Sequence, residues 1–464
     1  MSKNKVIKID EKTPLLFVAG PMFAEMFLNT LLNNIDTLML SNYDQPYNYA
    51  VGAVGNANQV MFMMNILFNI IATATSVVVA QYLGAKKYDK MNMIYTLAIG
   101  VNLVFGIILS GGIALANPLI MMFLGVSAEM RPLSMTYIYI VGGFSFLMAV
   151  YNVLLQILRC NGYTKIGMYI SIAINIINIA GNYLFLYGPL KSLDMGVAGV
   201  AISTVVARCV AVIAAFAFFR YAHIGKISIK YLNPFPAKLL GQMVLIGLPS
   251  AGENLSYNLY QMCLLRFVNK MGNDEVNARM FCNTLISFAM LFSNAAAMAT
   301  QIITGHLVGA GKQDAAYKRV FSTLKMSMPI TIGLATINWL TCGYTLRIFT
   351  QNDAIITIAK SIMLVDILLE IGRCLNMTFV NSLKAAGAYV FPLIVGLITM
   401  WGLGLTVGWA LGVAAGLGVA GIYAGTATDE VLRGLIVMYY WYKKKWYGKA
   451  IVKSDEEEKK SLTD

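Results

Sequence analysis

The chain has 464 residues, 58% of them hydrophobic and only 12% charged, with a mean hydropathy of +0.66. Soluble domains run at about 45–50% apolar and about 25% charged, so this composition excludes a disordered chain, a secreted disulfide scaffold and an ordinary cytosolic enzyme. The formal charge of +13 would suit a nucleic-acid partner, but the basic residues stand in short segments between apolar runs, with no continuous basic face and no nucleic-acid motif.

A transmembrane helix takes about 20 apolar residues, and the apolar runs predict twelve. The first six lie near 14–42, 50–83, 90–116, 129–158, 164–187 and 196–221. The second six lie near 238–269, 277–308, 316–342, 354–384, 389–413 and 417–441. The first run is too long for a signal peptide and lacks a small-residue cleavage site, so it reads as a retained helix. The polar stretch from Tyr221 to Lys238 is the longest internal loop and divides the chain into halves 1–230 and 231–464. Lys and Arg concentrate on alternate segments, among them Lys86/Lys87/Lys90, Arg159/Lys165, Arg220/Lys226/Lys230, Lys312/Lys318/Arg319/Lys325, Lys384 and Lys443–Lys445. The intervening segments carry far fewer, namely Arg131, Lys191, Lys270, Arg279, Arg347 and Lys360. The positive-inside rule then places both termini in the cytoplasm of a multi-pass protein of the cell (inner) membrane. Six cysteines all lie inside apolar runs without C-x-x-C spacing, which indicates neither a zinc site nor a redox pair.

The two halves repeat. Pro21-x-x-x-Glu25 returns as Pro249-x-x-x-Glu253, and Ala72-x-Ala-Thr75 with Gly84-Ala85 returns as Ala297-x-Ala-Thr300 with Gly309-Ala310. Leu158-Arg159-x-x-Gly162 returns as Leu383-Lys384-x-x-Gly387, and Gly196-Val-Ala-Gly199 as Gly418-Val-Ala-Gly421. The offsets, 228, 225, 225 and 222, are nearly constant. Six spans per half is an even number, so both halves share one orientation. The expected fold is an all-α integral membrane protein of two six-helix bundles, related by a parallel pseudo-two-fold axis along the membrane normal, with a cleft between them.

These motifs also carry a family resemblance. Pro21, Glu25 and Asp36-Thr-Leu-Met, then Ala80-Gln-x-Leu-Gly-Ala85, Leu158-Arg159-x-x-Gly162-x-Thr-Lys165, Asn178-x-x-x-Asn182 and Gly196-Val-Ala-Gly-x-Ala-x-x-Thr204 together resemble the multidrug and toxic compound extrusion (MATE) family. The resemblance covers nearly the whole chain in the family's order. It implies a twelve-helix exporter of two lobes, working by alternating access on a sodium or proton gradient. Pro21 cannot donate to the helix ladder, and by analogy with that family it is a candidate hinge; a static bend is the other reading.

Ionisable residues inside a span are costly and mark candidate function. Asp36 lies about six residues from the outer end of the first span, roughly 9 Å deep at about 1.5 Å per residue. Asn178 and Asn182 of the fifth span and Thr204 of the sixth share that depth, and the two asparagines, four apart, share a face. One carboxylate with amide and hydroxyl oxygens suits a small hard cation such as Na+, and a buried carboxylate can instead carry a proton. The resemblance implies that Asp36, Asn178, Asn182 and Thr204 form the cation or proton site. Some family members carry Asp where Asn182 stands, so H+ and Na+ both stay open. The structural alternative makes the asparagines interhelical glue, with Asp36 paired to Arg208.

The second half places Leu264 at the position equivalent to Asp36 and gathers its charges elsewhere. Glu253 lies on the seventh span, Asp366, Glu370 and Arg373 on the tenth, and Asp429, Glu430 and Arg433 on the twelfth, at depths that let them converge. Two arginines against five carboxylates leave an acidic excess suited to a cationic substrate or a second proton; a purely structural network is the alternative. Glu253 matches an acid that some family branches carry on this span, whereas the spacing from Leu383-Lys384 puts Arg373 where the tenth-span acid would stand. Tyr257 and Tyr260, with methionine runs such as Met61–Met64, suit flat apolar cations or serve ordinary packing.

The expected activity is secondary active export of a small organic compound, expected to be cationic, against H+ or Na+. No cofactor, no metal other than Na+ at Asp36 and no nucleic-acid partner are expected, and a monomer in the bilayer suffices. No phosphate loop or nucleophile–base set appears, so an enzyme is not expected. The alternative is a flippase or exporter of a lipid-linked precursor or another specific metabolite, on a related fold.

Overall fold

The protein is described here by a computed structural model covering residues 7, 9–43, 49–348 and 350–452, with the side chains at 32–34, 36, 37 and 348 outside the described set. Among the described residues the regular structure is helical. The first six spans are α1 (Leu15–Tyr43), α2 (Tyr49–Gly84), α3 (Met91–Phe123), α4 (Arg131–Gly142 and Phe146–Cys160), α5 (Thr164–Leu186) and α6 (Gly196–Tyr221). The second six are α7 (Ala237–Val268), α8 (Asn273–Gly309), α9 (Gln313–Thr345), α10 (Asp353–Ala385), α11 (Val390–Ala414) and α12 (Gly418–Tyr442).

The twelve apolar runs are these twelve elements. α3 runs past its predicted end because Pro118 lies inside the helix rather than ending it, and the residues that follow, Leu119–Phe123, stay apolar. α4 is two pieces meeting at 46°. Among the described residues, seven helices (α2, α3, α5, α6, α8, α9 and α11) are long and apolar enough to cross a bilayer unaided, and α4 joins them when its two pieces count as one span. α10 and α12 fall short of that measure because each carries a set of charged residues. Those charges are buried: Asp366, Glu370, Asp429 and Arg433 are all at most 2% exposed. On α3 the opposite holds, with Leu115 and Phe123 at 86% and 89% exposure. Apolar side chains held outward and charges held inward suit hydrocarbon as the solvent.

The chain divides into two compact units. The first comprises Met1–Lys8, Ala24–Val79 and Lys87–Gly247; the second comprises Ile9–Phe23, Ala80–Lys86 and Leu248–Asp464. The first has a core around Phe68, Ile138, Val141, Leu186 and Ala201, all buried. In the second, Tyr260, Leu264, Cys282, Ile362 and Met363 are fully buried together. α1 passes from one unit to the other just after Pro21, and α7 does so just before Pro249. The repeat-related prolines therefore mark the crossing points.

Within the second unit, the ends of α2 and α8 touch backbone to backbone. A Cβ on Gly84 would stand 2.1 Å from the His306 carbonyl oxygen, and one on Gly309 would stand 2.0 Å from that of Gln81. The repeat offset of 225 carries 84 onto 309 and 81 onto 306, so each contact is the other with its partners exchanged. That reciprocity is the mark of a two-fold axis. The Gln81 side chain fixes the junction further, donating to the Ala385 carbonyl at 2.6 Å and accepting from the Ile451 amide at 2.8 Å.

α11 and α12 approach as closely. A Cβ on Gly425 would lie 2.3 Å from the Gly408 nitrogen, and one on Gly421 would lie 2.5 Å from that of Gly412. Only residues without side chains let two helices meet at this distance. Beyond α12, Lys444 donates to Asp314 at 2.8 Å. Its hydrogen bonds to Asp314 and Tyr447 hold the ammonium group above its ordinary pKa. Gly425→Ala is expected to destabilise the protein by about 1–3 kcal/mol through overpacking. Gly402→Ala, where a Cβ meets open space, should leave thermal unfolding in detergent unchanged; equal losses in the two variants would contradict this packing.

Candidate functional site

The most conspicuous sequence repeats turn out to be two halves of one interaction. In the first unit Arg159 Nη2 donates to Glu25 Oε2 at 2.8 Å, and in the second Lys384 Nζ donates to Glu253 Oε2 at 2.8 Å. Glu25 and Glu253 come from the repeated Pro-x-x-x-Glu, Arg159 and Lys384 from the repeated Leu-basic-x-x-Gly. All four side chains are at most 12% exposed. The cation is the penultimate residue of α4 in one unit and of α10 in the other, where the helix carbonyls favour positive charge. Positive-inside counting treats Arg159 and Lys384 as loop charges, and the structure corrects this by burying both. The paired repetition of the two motifs was the signal that linked them.

In the first unit, the structure brings together three of the four residues expected to hold a cation. Thr204 Oγ1 donates to the Val200 carbonyl at 3.0 Å and accepts from Asn178 Nδ2 at 3.2 Å. Asn178 Oδ1 in turn accepts from Asn182 Nδ2 at 3.3 Å. A chain of hydrogen bonds donated from Asn182 to Asn178, to Thr204 and finally to the Val200 carbonyl sets the orientation of both amides. Gly181 permits it, since a Cβ there would lie 2.5 Å from Ser203 Oγ and push α5 off α6. The Asp36 side chain lies outside the described residues; its backbone belongs to α1. Arg208 Nη1, the competitor expected for Asp36, is buried without a hydrogen-bond partner among the described residues. Pro21 lies within α1.

In the second unit, the expected charges form two groups rather than one. Arg433 Nη2 donates to Asp429 at 3.0 Å and to Glu430 at 2.8 Å, and its Nη1 lies 3.8 Å from Glu253. Lys384 holds the other oxygen of Glu253, and Asn376 donates to Glu430 at 2.8 Å. Glu370 pairs with Arg373 on its own helix, one turn away. Asp366, one turn earlier, is fully buried with neither carboxylate oxygen hydrogen-bonded to a described group. Lys384 and Asn376 are the members that sequence reasoning missed. With Lys384 included, three cations face five carboxylates, so the acidic excess is smaller than expected. Tyr257 stands apart from these pairs, accepting from Gln261 Nε2 at 3.1 Å at the wall of a partly open cavity.

The MatE family model matches residues 21–184 and 249–410, two segments that begin on the repeated prolines. The chain is 33% identical over 442 residues to the uncharacterized transporter YisQ of Bacillus subtilis, covering 95% of this chain and 96% of that one. It is 22% identical over 453 residues to a probable multidrug resistance protein NorM of Thermotoga maritima, covering 97% and 96%. Among solved structures, an outward-facing multidrug resistance MATE family transporter superposes with a TM-score of 0.86 at 18% identity, over 96% of this chain and 98% of that one.

Removing one member of a buried ion pair strands a charge and costs about 3–5 kcal/mol, whereas replacing both by apolar groups is close to neutral. Arg159→Met and Lys384→Met should each show that loss in thermal unfolding, and the doubles Glu25→Leu/Arg159→Met and Glu253→Leu/Lys384→Met should recover most of it. Additive losses in the doubles would show that the pairs are not coupled.

Proposed function

The chain belongs to the MatE family, whose members are transporters and not enzymes, and on that premise we propose that it exports small organic compounds, organic cations among them, in exchange for H+ or Na+. It is a multi-pass membrane protein of the multidrug efflux class. The observation that carries the coupling reading is the donor chain Asn182–Asn178–Thr204 on α5 and α6, at the depth sequence spacing assigns to Asp36. Oxygen ligands there would replace the shell of a dehydrated Na+, or the carboxylate would carry a proton. The ion can drive export only if it binds one access state better than the other, by a coupling of about 1–3 kcal/mol.

In this reading the half 1–230 carries the coupling ion and the half 231–464 the substrate contacts. Both termini face the cytoplasm, and Pro21 is where α1 bends between states. Glu253, Glu370, Asp429 and Glu430 form the second proton or substrate group, with Arg373 and Arg433 as their counter-charges. A cation reaches Glu253 only by displacing Lys384 or Arg433, so substrate binding there exchanges one ion pair for another.

Purified protein in proteoliposomes, given a fluorescent organic cation and an imposed Na+ or pH gradient, tests the proposal. Wild type should move the cation under one gradient, which names the ion, and Asp36→Asn should lose about tenfold or more of that rate. Undiminished transport in Asp36→Asn would remove Asp36 from the coupling site. Transport under neither gradient would overturn the exporter reading in favour of a lipid-linked or narrower substrate.

A further inference from the structure

The second unit has a partly open cavity of about 230 Å³ between α7, α8, α10 and α12. Among the described residues its wall has no carboxylate: the charged residues lining it are Arg279 and Arg373. They differ in kind. Arg373 is neutralised by Glu370 behind it, whereas Arg279 has no carboxylate within 4.0 Å among the described residues. The acid one turn before Arg279 is Glu275, and its Oε2 is turned to the backbone amide of Val419 at the start of α12, at 3.1 Å. The cavity therefore holds one guanidinium whose charge no partner in its wall cancels.

The hydrogen bonds around it point the same way. Arginine can only donate, so the 3.2 Å contact from Arg279 Nη2 requires the oxygen of the Gln261 amide. That assigns the amide nitrogen to the other side, where it donates to the Tyr257 hydroxyl at 3.1 Å. The Tyr257 oxygen thus spends its acceptor capacity on Gln261 and keeps its O–H to donate. On the facing helices, the Tyr423 hydroxyl donates to Asn283 Oδ1, which leaves the Asn283 amide nitrogen as a donor at the wall. Arg279, Tyr257 and Asn283 all offer hydrogens, and Leu264, Ile286, Met290, Leu369 and Ile422 supply the apolar part of the lining. A cation would find no acceptor carrying charge here; a carboxylate would find a guanidinium and two neutral donors.

We propose that this cavity binds the carboxylate of a small organic acid, with Arg279 as the charged anchor, Tyr257 and Asn283 as neutral donors, and the apolar wall around an aromatic or aliphatic body. The volume is below the range of about 300–1,000 Å³ usual for drug-sized ligands, so the occupant is a small acid or the acidic end of a larger compound. The site goes beyond the ion-coupled export of cations and does not depend on the Asp36 group.

Three probes of one shape separate the charge terms: benzoate, neutral benzamide and cationic benzamidine, titrated calorimetrically into the full-length protein in detergent. Benzoate should bind at least about tenfold more tightly than benzamide, and benzamidine should show no saturable heat at the same concentrations. Arg279→Gln should weaken benzoate by about tenfold or more, Arg279→Lys should restore part of the loss, and Tyr257→Phe should weaken it a few-fold; thermal unfolding confirms that each variant is folded. Benzamidine binding as tightly as benzoate overturns the proposal. So does the absence of saturable benzoate binding, or benzoate binding that Arg279→Gln leaves unchanged in a folded protein. Should Arg279→Gln fail to fold, Arg279→Lys and Tyr257→Phe carry the test, and unchanged benzoate affinity in both overturns it.

Discussion

An ionised carboxylate is costly to bury unless it is paired, and each unit pairs its repeated glutamate with a base in the same way. Glu25 with Arg159 and Glu253 with Lys384 join helices distant in sequence at matching positions of the repeat. The desolvation cost of such a pair is large, so the pair is weak evidence for stability and better evidence for register. A helix carrying Glu25 can slide or rotate against its neighbour only by stranding a charge. The pair also uses the end of the helix that bears the base, where the carbonyl dipoles lower the cost of a buried cation.

From that shared frame the two units diverge. The first has a neutral donor chain on α5 and α6, ending at a backbone carbonyl. The second extends its Glu253–Lys384 pair through Arg433 to Asp429 and Glu430, so one ion pair has become a network of three helices. Duplication kept the pair and let the surroundings change, which is why Asp36 has only Leu264 as its counterpart. The cavity beside Tyr257 belongs to this divergence, since its polarity is set by Arg279 and Gln261, neither of which appears in the repeated motifs.

Hydrogen-bond direction, more than residue type, determines what each polar group can receive. A serine, amide or tyrosine is ambivalent in sequence. Once one neighbour can only donate, as Arg279 does to Gln261, every later member of the chain is committed. The same logic orders Asn182, Asn178 and Thr204, starting from a threonine hydroxyl that donates to the carbonyl one turn back.

Sequence alone settled the twelve spans, because apolar run length is dictated by membrane thickness, and it settled the two-fold repeat, because offsets of 225 to 228 recur at Gly84 and Gly309 as at Pro21 and Pro249. It also placed Asn178, Asn182 and Thr204 at one depth, since rise per residue is fixed in a helix. Tertiary structure alone decided which charges meet. Lys384 reads as a loop charge by position, yet it is buried against Glu253. Glu370 shares the depth of the α12 acids, yet it pairs within its own helix. Span order gives depth but not rotation about the helix axis, and rotation decides whether two charges at one depth face each other. Rotation here is fixed by contacts such as Gly425 on Gly408, whose partners lie on different helices and carry no signal until the helices are packed.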